Sequence, residues 1–146
     1  MILGLLDIGA RTKEFLNINL EDVDMASGAV MIRQGKRRKP RMVFLGCKTI
    51  RAIRRYLRYW KDNHPALWVS THGERMTYVA LRCFLRWRAE QIGMKSIPTP
   101  HDFWQAFALV MLDIFALQKL MGHSNLQILR HYLTQTDQNI HNAIAG

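Results

Sequence analysis

The chain has 146 residues, enough for one domain with a substantial core and no need of covalent staples. Lysine and arginine outnumber aspartate and glutamate 21 to 11, a formal net charge of +10, and the excess concentrates between residues 33 and 61. Such a charge favours a polyanionic partner, nucleic acid first and an anionic membrane surface second. The two cysteines, Cys47 and Cys83, lie far apart without paired spacing, which excludes a disulfide framework and a zinc site and fits a reducing, cytoplasmic setting.

Residues 1–6 are apolar but short, have no basic residue before them and run directly into Asp7, so they do not read as a signal peptide. Residues 1–7 instead read as the end of a buried helix stopped by Gly9, which starts the chain inside a domain. Residues 12–18 predict a second short helix with Phe15 and Leu16 turned inward. Residues 20–24 and Ser27-Gly28 are turn-rich. Ala29-Val30-Met31-Ile32-Arg33 and Arg41-Met42-Val43-Phe44-Leu45 have strand character, and the basic connection Gln34-Gly35-Lys36-Arg37-Arg38-Lys39-Pro40 between them makes a β-hairpin the natural reading.

Residues 47–63 predict an amphipathic helix. Ile50, Ile53, Leu57 and Trp60 recur at helical spacing for the core, while Lys48, Arg51, Arg54, Arg55, Arg58 and Lys61 cover much of the rest. A charged helix face is usually only solvated, but a row of one sign repels itself unless an anion neutralises it, so phosphate contact is expected for part of this face. His64-Pro65 ends the helix, residues 67–70 read as a short strand and residues 72–75 as a turn. Residues 77–92 predict another helix, with Val79, Leu81, Phe84 and Leu85 inward and Gly93 as its stop. Thr99-Pro100-His101-Asp102 has the marks of a helix start: threonine as N-cap, proline in the first position and an acid in the first turn. The longest apolar run, 106–117, is interrupted by Asp113 and too short to span a bilayer. Ser124 and Gln127 have capping-box spacing, so a last helix begins just after His123 and carries Tyr132 two turns in.

Read together, Arg11, Lys36, His101, His123 and Tyr132 resemble the catalytic set of the tyrosine recombinases, the phage-integrase-like family, and the resemblance covers nearly the whole chain. Leu5-Leu6-Asp7-Ile8-Gly9-Ala10-Arg11-Thr12-Lys13-Glu14 is similar to the family's first box, with its arginine at Arg11 and a supporting acid at Glu14; Leu20-Glu21-Asp22-Val23-Asp24 continues it. Gly35-Lys36, with Lys39, Arg41, Val43 and Leu45 after it, resembles the hairpin whose lysine enters the active site. Thr99-Pro100-His101-Asp102-Phe103 is similar to the opening of the second box and Leu120-Met121-Gly122-His123-Ser124 to the third, and Tyr132 falls at the family's histidine-to-tyrosine distance. The fold implied is mainly helical with a small antiparallel sheet, the DNA breaking-rejoining catalytic domain. It is expected to span 1–146 as a single domain, truncated at its N-terminus and without the separate DNA-clamping domain of the family.

The resemblance implies cleavage of DNA by a tyrosine hydroxyl, which displaces the 5′ oxygen and keeps the bond energy in a covalent 3′-phosphotyrosine. Arg11 and His123 would stabilise the charge that builds on the phosphate, His101 would assist proton transfer at Tyr132, and Lys36 would protonate the leaving oxygen. No metal, nucleotide or other cofactor is required. The expected partner is double-stranded DNA, held by Arg37, Arg38, Lys39, Arg41, Lys48 and Arg51, with no membrane. Family members exchange a C-terminal helix with neighbours, and residues 136–144 offer such a segment for a homo-oligomer on DNA. Taken singly, each residue has a plainer reading: Arg11 and Glu14 as an intrahelical ion pair, His101 and His123 as polar helix starts, Lys36 as a turn residue.

Two departures bear on activity. The family's second box has an arginine three residues after its histidine, where this chain has Trp104, followed by Gln105. Tryptophan donates one N–H, carries no charge and cannot grip a phosphate bidentately. Loss of a preorganised donor costs roughly 10²–10³ in rate, and arginines on phosphoryl transition states are worth on the order of 10³–10⁵. Arg130 is the nearest basic candidate in sequence to replace it. The stretch between Phe107 and His123 is also about four residues short of the family's two helices and intervening turn, roughly one helical turn or ~6 Å of rise. Either the helices fuse, or one gives up a turn and Asp113 caps the corner. The expectation is a DNA integrase or site-specific recombinase domain with impaired cleavage; the rivals are a DNA-binding relic without turnover and a protein-interaction module.

Overall fold

Glycines and caps set most of the element ends. The computed structural model describes residues 1–33, 40–60 and 63–121, with 115–121 by their backbone. Helix α1 (Ile2–Ile8) stops at Gly9, which adopts the left-handed conformation with φ 53°. Helix α2 (Thr12–Leu16) follows at once, and a single 3₁₀ turn spans Leu20–Asp22. Strands β1 (Ala29–Ile32) and β2 (Arg41–Phe44) pair antiparallel, with Ala29 opposite Phe44 and Ile32 opposite Arg41. Helices α3 (Cys47–Tyr59), α4 (Tyr78–Gln91) and α5 (Pro100–Met121) complete a mainly helical fold with one small two-stranded sheet among the described residues. None of the helices among those residues is long and apolar enough to cross a membrane.

One core gathers these elements. Phe15 of α2 stacks on Trp68 with ring centroids 4.9 Å apart, and Leu5, Ile8, Val30, Ile32, Ile53, Leu67, Leu81, Leu85 and Phe103 are buried around them. On β1, Val30 and Ile32 turn inward at the two-residue period of a strand, while Met42 and Phe44 on β2 stay exposed. Polar ties fix the corners. Asp7 accepts the Gly46 N–H at 2.8 Å, joining the end of α1 to the start of α3. Arg75 donates to the Leu16 carbonyl at 3.0 Å and to Asn19 Oδ1 at 2.5 Å, closing the C-terminal end of α2.

Three local expectations are corrected. Helix α3 ends at Tyr59 rather than at residue 63, because Trp60 already has extended backbone with ψ 109°. Residues 67–70 form no strand: Ala66 and Val69 make only isolated bridges, to Asn19 and Arg75. The segment is buried, and its backbone is shared between two neighbours, Leu67 N–H donating to Ile18 and Met76 N–H donating to Trp68, so no ladder develops. Val79 is 68% exposed, not inward. Helix α4 packs through Leu81, Leu85 and Ala89, spaced four apart, and Val79 lies about 200° around the helix from Leu81.

Of the two geometries open to the shortened segment, the chain takes fusion: α5 is continuous through Asp113 for 22 residues, a rod of roughly 33 Å. Thr99 caps it reciprocally, its N–H and hydroxyl donating to Asp102 at 2.6 and 2.8 Å.

Candidate active site and basic surface

The geometry starts at the corner between α1 and α2. A Cβ on Gly9 would lie 2.1 Å from ring carbons of Phe107, so α5 presses directly against this corner. Only glycine satisfies both the left-handed φ and the contact. Arg11 follows this corner by two residues, and His101 and Trp104 lie on the same helix as Phe107. Arg11 is the N-cap of α2; its carbonyl accepts from Phe15 N–H at 2.9 Å and its N–H donates to Glu14 Oε2 at 3.1 Å, which leaves the guanidinium exposed.

Glu14 is also held from across the fold. Both terminal nitrogens of Arg41 donate to its carboxylate, at 3.3 and 2.8 Å. The hydrogen bonds from Arg41, aided by the Arg11 backbone N–H, hold the Glu14 carboxyl below its ordinary value against the opposing effect of burial. Arg41, expected on DNA, clamps β2 to α2 through this pair, with its side chain 39% exposed. It pairs with Ile32 at the base of the connection that carries Lys36, so the root of that connection is fixed to the Arg11 helix. Arg33, the residue after β1, is held by Glu21 at 3.0 Å and by the buried Asp22.

His101 is exposed in the first turn of α5 and stacks on Trp104, with ring centroids 5.7 Å apart and planes 14° from parallel. Trp104 is itself 41% exposed. An arginine at this position would present charge to the surface beside His101, whereas the indole presents an apolar plate.

Lys48 and Arg51, expected on DNA, are exposed on α3, together with Arg54, Arg55 and Arg58. Arg54 donates to the Met25 carbonyl at 2.7 Å. The sequence reading passed over a second basic row, Arg82 and Arg86 on α4, both exposed and four residues apart, the spacing that places side chains on one helix face. Between α2 and the start of α4 lies an open cleft of about 490 Å³, lined by Thr12, Lys13, Leu16, Asn17, Met76, Thr77 and Tyr78; of the catalytic candidates among the described residues, neither Arg11 nor His101 lines it. Lys36, Arg37, Arg38, Lys39, His123, Tyr132 and residues 136–144 lie outside the described residues, as does Arg130. Among the described residues, Glu14 ties Arg41 to the helix that Arg11 opens, and the Gly9 corner just before Arg11 packs on Phe107 of α5.

The phage integrase family model matches residues 1–139. The chain is similar to tyrosine recombinase XerA of Pyrococcus horikoshii, 30% identical over 99% of this chain and 52% of that protein. It is also similar to tyrosine recombinase XerC of Leptospira interrogans, 30% identical over 96% of this chain and 47% of that protein. The chain therefore spans about half the length of the curated relatives it matches. Among solved structures, that of XerA recombinase superposes with a TM-score of 0.70 at 25% identity, over 90% of this chain and 49% of that one. The Tn1549 transposon integrase in complex with a circular intermediate DNA superposes with a TM-score of 0.66 at 19% identity, over 90% of this chain and 52% of that one.

Proposed function

This chain belongs to the phage integrase family, and on that premise we propose that it is the catalytic half of a DNA integrase or site-specific recombinase whose strand cleavage is impaired by Trp104. Its proposed reaction is attack of the Tyr132 hydroxyl oxygen on a DNA phosphorus. The new bond is a 3′-phosphotyrosine, the bond broken is that to the 5′ oxygen, and the 5′ oxygen leaves as a hydroxyl. His101 takes the tyrosine proton, Lys36 supplies the proton to the leaving oxygen, and Arg11 with His123 stabilises the charge at the phosphate. Rejoining is the same step run backwards with another 5′ hydroxyl. Double-stranded DNA is the proposed partner, as for the integrase and the XerH recombinase whose solved complexes contain DNA, with the exposed cations of α3 and the 37–39 run on its backbone and residues 136–144 linking copies on it.

The observation that carries the impairment is the stack of Trp104 on His101 at 5.7 Å. A neutral indole stands against the proposed proton acceptor, at the position where the resemblance calls for a guanidinium. The test uses a DNA duplex nicked beside the scissile phosphate, which traps the covalent adduct. The wild-type chain is expected to form adduct slowly, Tyr132→Phe to form none, and Trp104→Arg to accelerate it on the order of 10²–10³-fold. Equal adduct formation by wild type and Trp104→Arg would sink the assignment.

The continuity of α5 through Asp113 favours a second reading, a DNA-binding relic without turnover. A catalytic residue shifted by an ångström can already cost about 10² in rate, and the fused helix lacks the turn that the resemblance places before the third box. This reading expects no adduct from Trp104→Arg either, with DNA binding kept in both proteins.

A further inference from the structure

The cleft between α2 and the start of α4 has a mixed lining that the proposed reaction does not use. Leu16 and Met76 give it apolar surface and pack with the core behind them. Tyr78 adds an aromatic ring that is 50% exposed. The Asn17 amide and the Thr12 hydroxyl make no hydrogen bond among the described residues. The Thr77 hydroxyl oxygen accepts Ala80 N–H at 3.1 Å and keeps its own proton to donate. Lys13 is the one ionised side chain among the lining residues, and no carboxylate joins it.

The two walls are held together without a ligand. Arg75, next to Met76, donates to the Leu16 and Ile18 carbonyls at 3.0 and 3.5 Å and to Asn19 Oδ1 at 2.5 Å, which ties the start of α4 to the end of α2. The volume of about 490 Å³ lies within the roughly 300–1,000 Å³ of small-ligand sites. Positive charge continues along both walls. Arg82 and Arg86 follow Tyr78 at four-residue steps on α4, all three exposed, and Arg11 is the N-cap of α2.

This combination selects a ligand. A bare phosphate would use Lys13 and leave Leu16, Met76 and Tyr78 idle, and an apolar molecule would leave the amide and the ammonium idle. A nucleotide uses all of them. Its base lies against Tyr78 and the apolar side chains, the polar edge of the base meets Asn17 and the threonine hydroxyls, and the phosphates run to Lys13 and Arg82. A paired base has its faces covered by its neighbours in the stack, whereas an unpaired one offers face and edge together. We propose that the cleft binds an unpaired nucleotide of a DNA strand. The proposal rests on DNA being the partner and adds to it a preference for unpaired bases. Rejoining to another 5′ hydroxyl requires the cut strand to leave its complement, and the cleft holds a nucleotide so released.

Fluorescence anisotropy at low salt tests this on the full chain, with three labelled probes of equal length: a short oligothymidylate, the same strand with every base removed, and a duplex. The wild type is expected to bind oligothymidylate at least about tenfold more tightly than the abasic strand, because the phosphates are the same and only the stacking differs. Tyr78→Ser is expected to lower oligothymidylate affinity to that of the abasic strand, and Tyr78→Phe to restore most of the preference. Asn17→Ala, at an exposed position, is expected to reduce the preference severalfold with an unchanged circular dichroism spectrum. Duplex binding with equal affinity for the two single strands overturns this proposal and leaves the DNA reading standing. A preference that persists in Tyr78→Ser places the base elsewhere and also overturns it. No binding of any probe overturns both readings together.

Discussion

Substituting Gly9 by alanine probes the contact that packs the α1–α2 corner on α5. Gly9 has φ 53°, and a Cβ there would stand 2.1 Å from two ring carbons of Phe107 and 2.7 Å from the ring carbon nearest its backbone. Because Cγ is involved, turning the ring about χ2 does not clear the clash, and Phe107 must leave its χ1 rotamer or the corner or α5 must move. An L-residue in the left-handed region costs about 1–2 kcal/mol, and overpacking a close contact typically adds about 1–3 kcal/mol. Gly9→Ala should therefore destabilise the domain by about 2–5 kcal/mol, a large part of the roughly 5–15 kcal/mol expected in total. The midpoint of thermal unfolding should fall by about 2–4 °C for each of these kcal/mol. Urea unfolding followed by tryptophan fluorescence measures the difference. The discriminating arm is the double variant with Phe107→Ala: removing the ring relieves the steric part, so the two substitutions should couple favourably by about 1–3 kcal/mol. A Gly9→Ala cost below about 0.5 kcal/mol, or strict additivity with Phe107→Ala, would refute the reasoning.

Two further predictions concern charge. The Glu14 carboxyl is held below its ordinary value of 4.5, first by Arg41. Its folded pKa is thus depressed, and the stabilisation is complete above 4.5 and lost as the pH falls through the lower folded value. Glu14→Gln should remove about 1 kcal/mol or less at neutral pH, since Arg41 is 39% exposed and water screens the pair, and should flatten the acid limb of the stability profile measured by urea unfolding. On the DNA side, Lys48→Ala and Arg51→Ala should each weaken binding similarly across sequences and lower the slope of log affinity against log salt by about one, read by fluorescence anisotropy; an unchanged slope would place those side chains away from phosphate.

Much of the frame around the candidate site was legible because its signals are local. Gly9 stopping α1, Thr99 and Asp102 opening α5, and the 29–33 and 41–45 hairpin all follow from hydrogen bonds and dihedrals within a few residues. The pairing of Glu14 with Arg41 was not legible. Arg11 lies three residues away and looked sufficient, but the carboxylate reaches Arg41, 27 residues distant, because the hairpin folds its second strand against α2. Val79 shows the same limit: its hydrophobicity suited a core face, and only the choice of the Leu81, Leu85 and Ala89 stripe for packing turned it to solvent. Residues 67–70 had strand composition, yet an extended segment becomes a strand only when a neighbour offers a continuous edge, and here the neighbours are a helix exit and a turn.

The sequence by itself determined the helix boundaries at Gly9, Gly93 and Thr99, the basic character of α3, and the order of the residues that place the chain among phage integrases, because each depends on covalent geometry or composition near one point. It also offered two geometries for the shortened stretch after Phe107 and could not choose between them, since local helix propensity supports both a fused helix and a corner capped by Asp113. The packing of α5 along α1, with Phe103 and Ile114 in the core and Phe107 against Gly9, goes with the fused helix. Continuity follows a single apolar stripe facing one core, and the cost is the exposure of Leu109 and Leu112 on the opposite side.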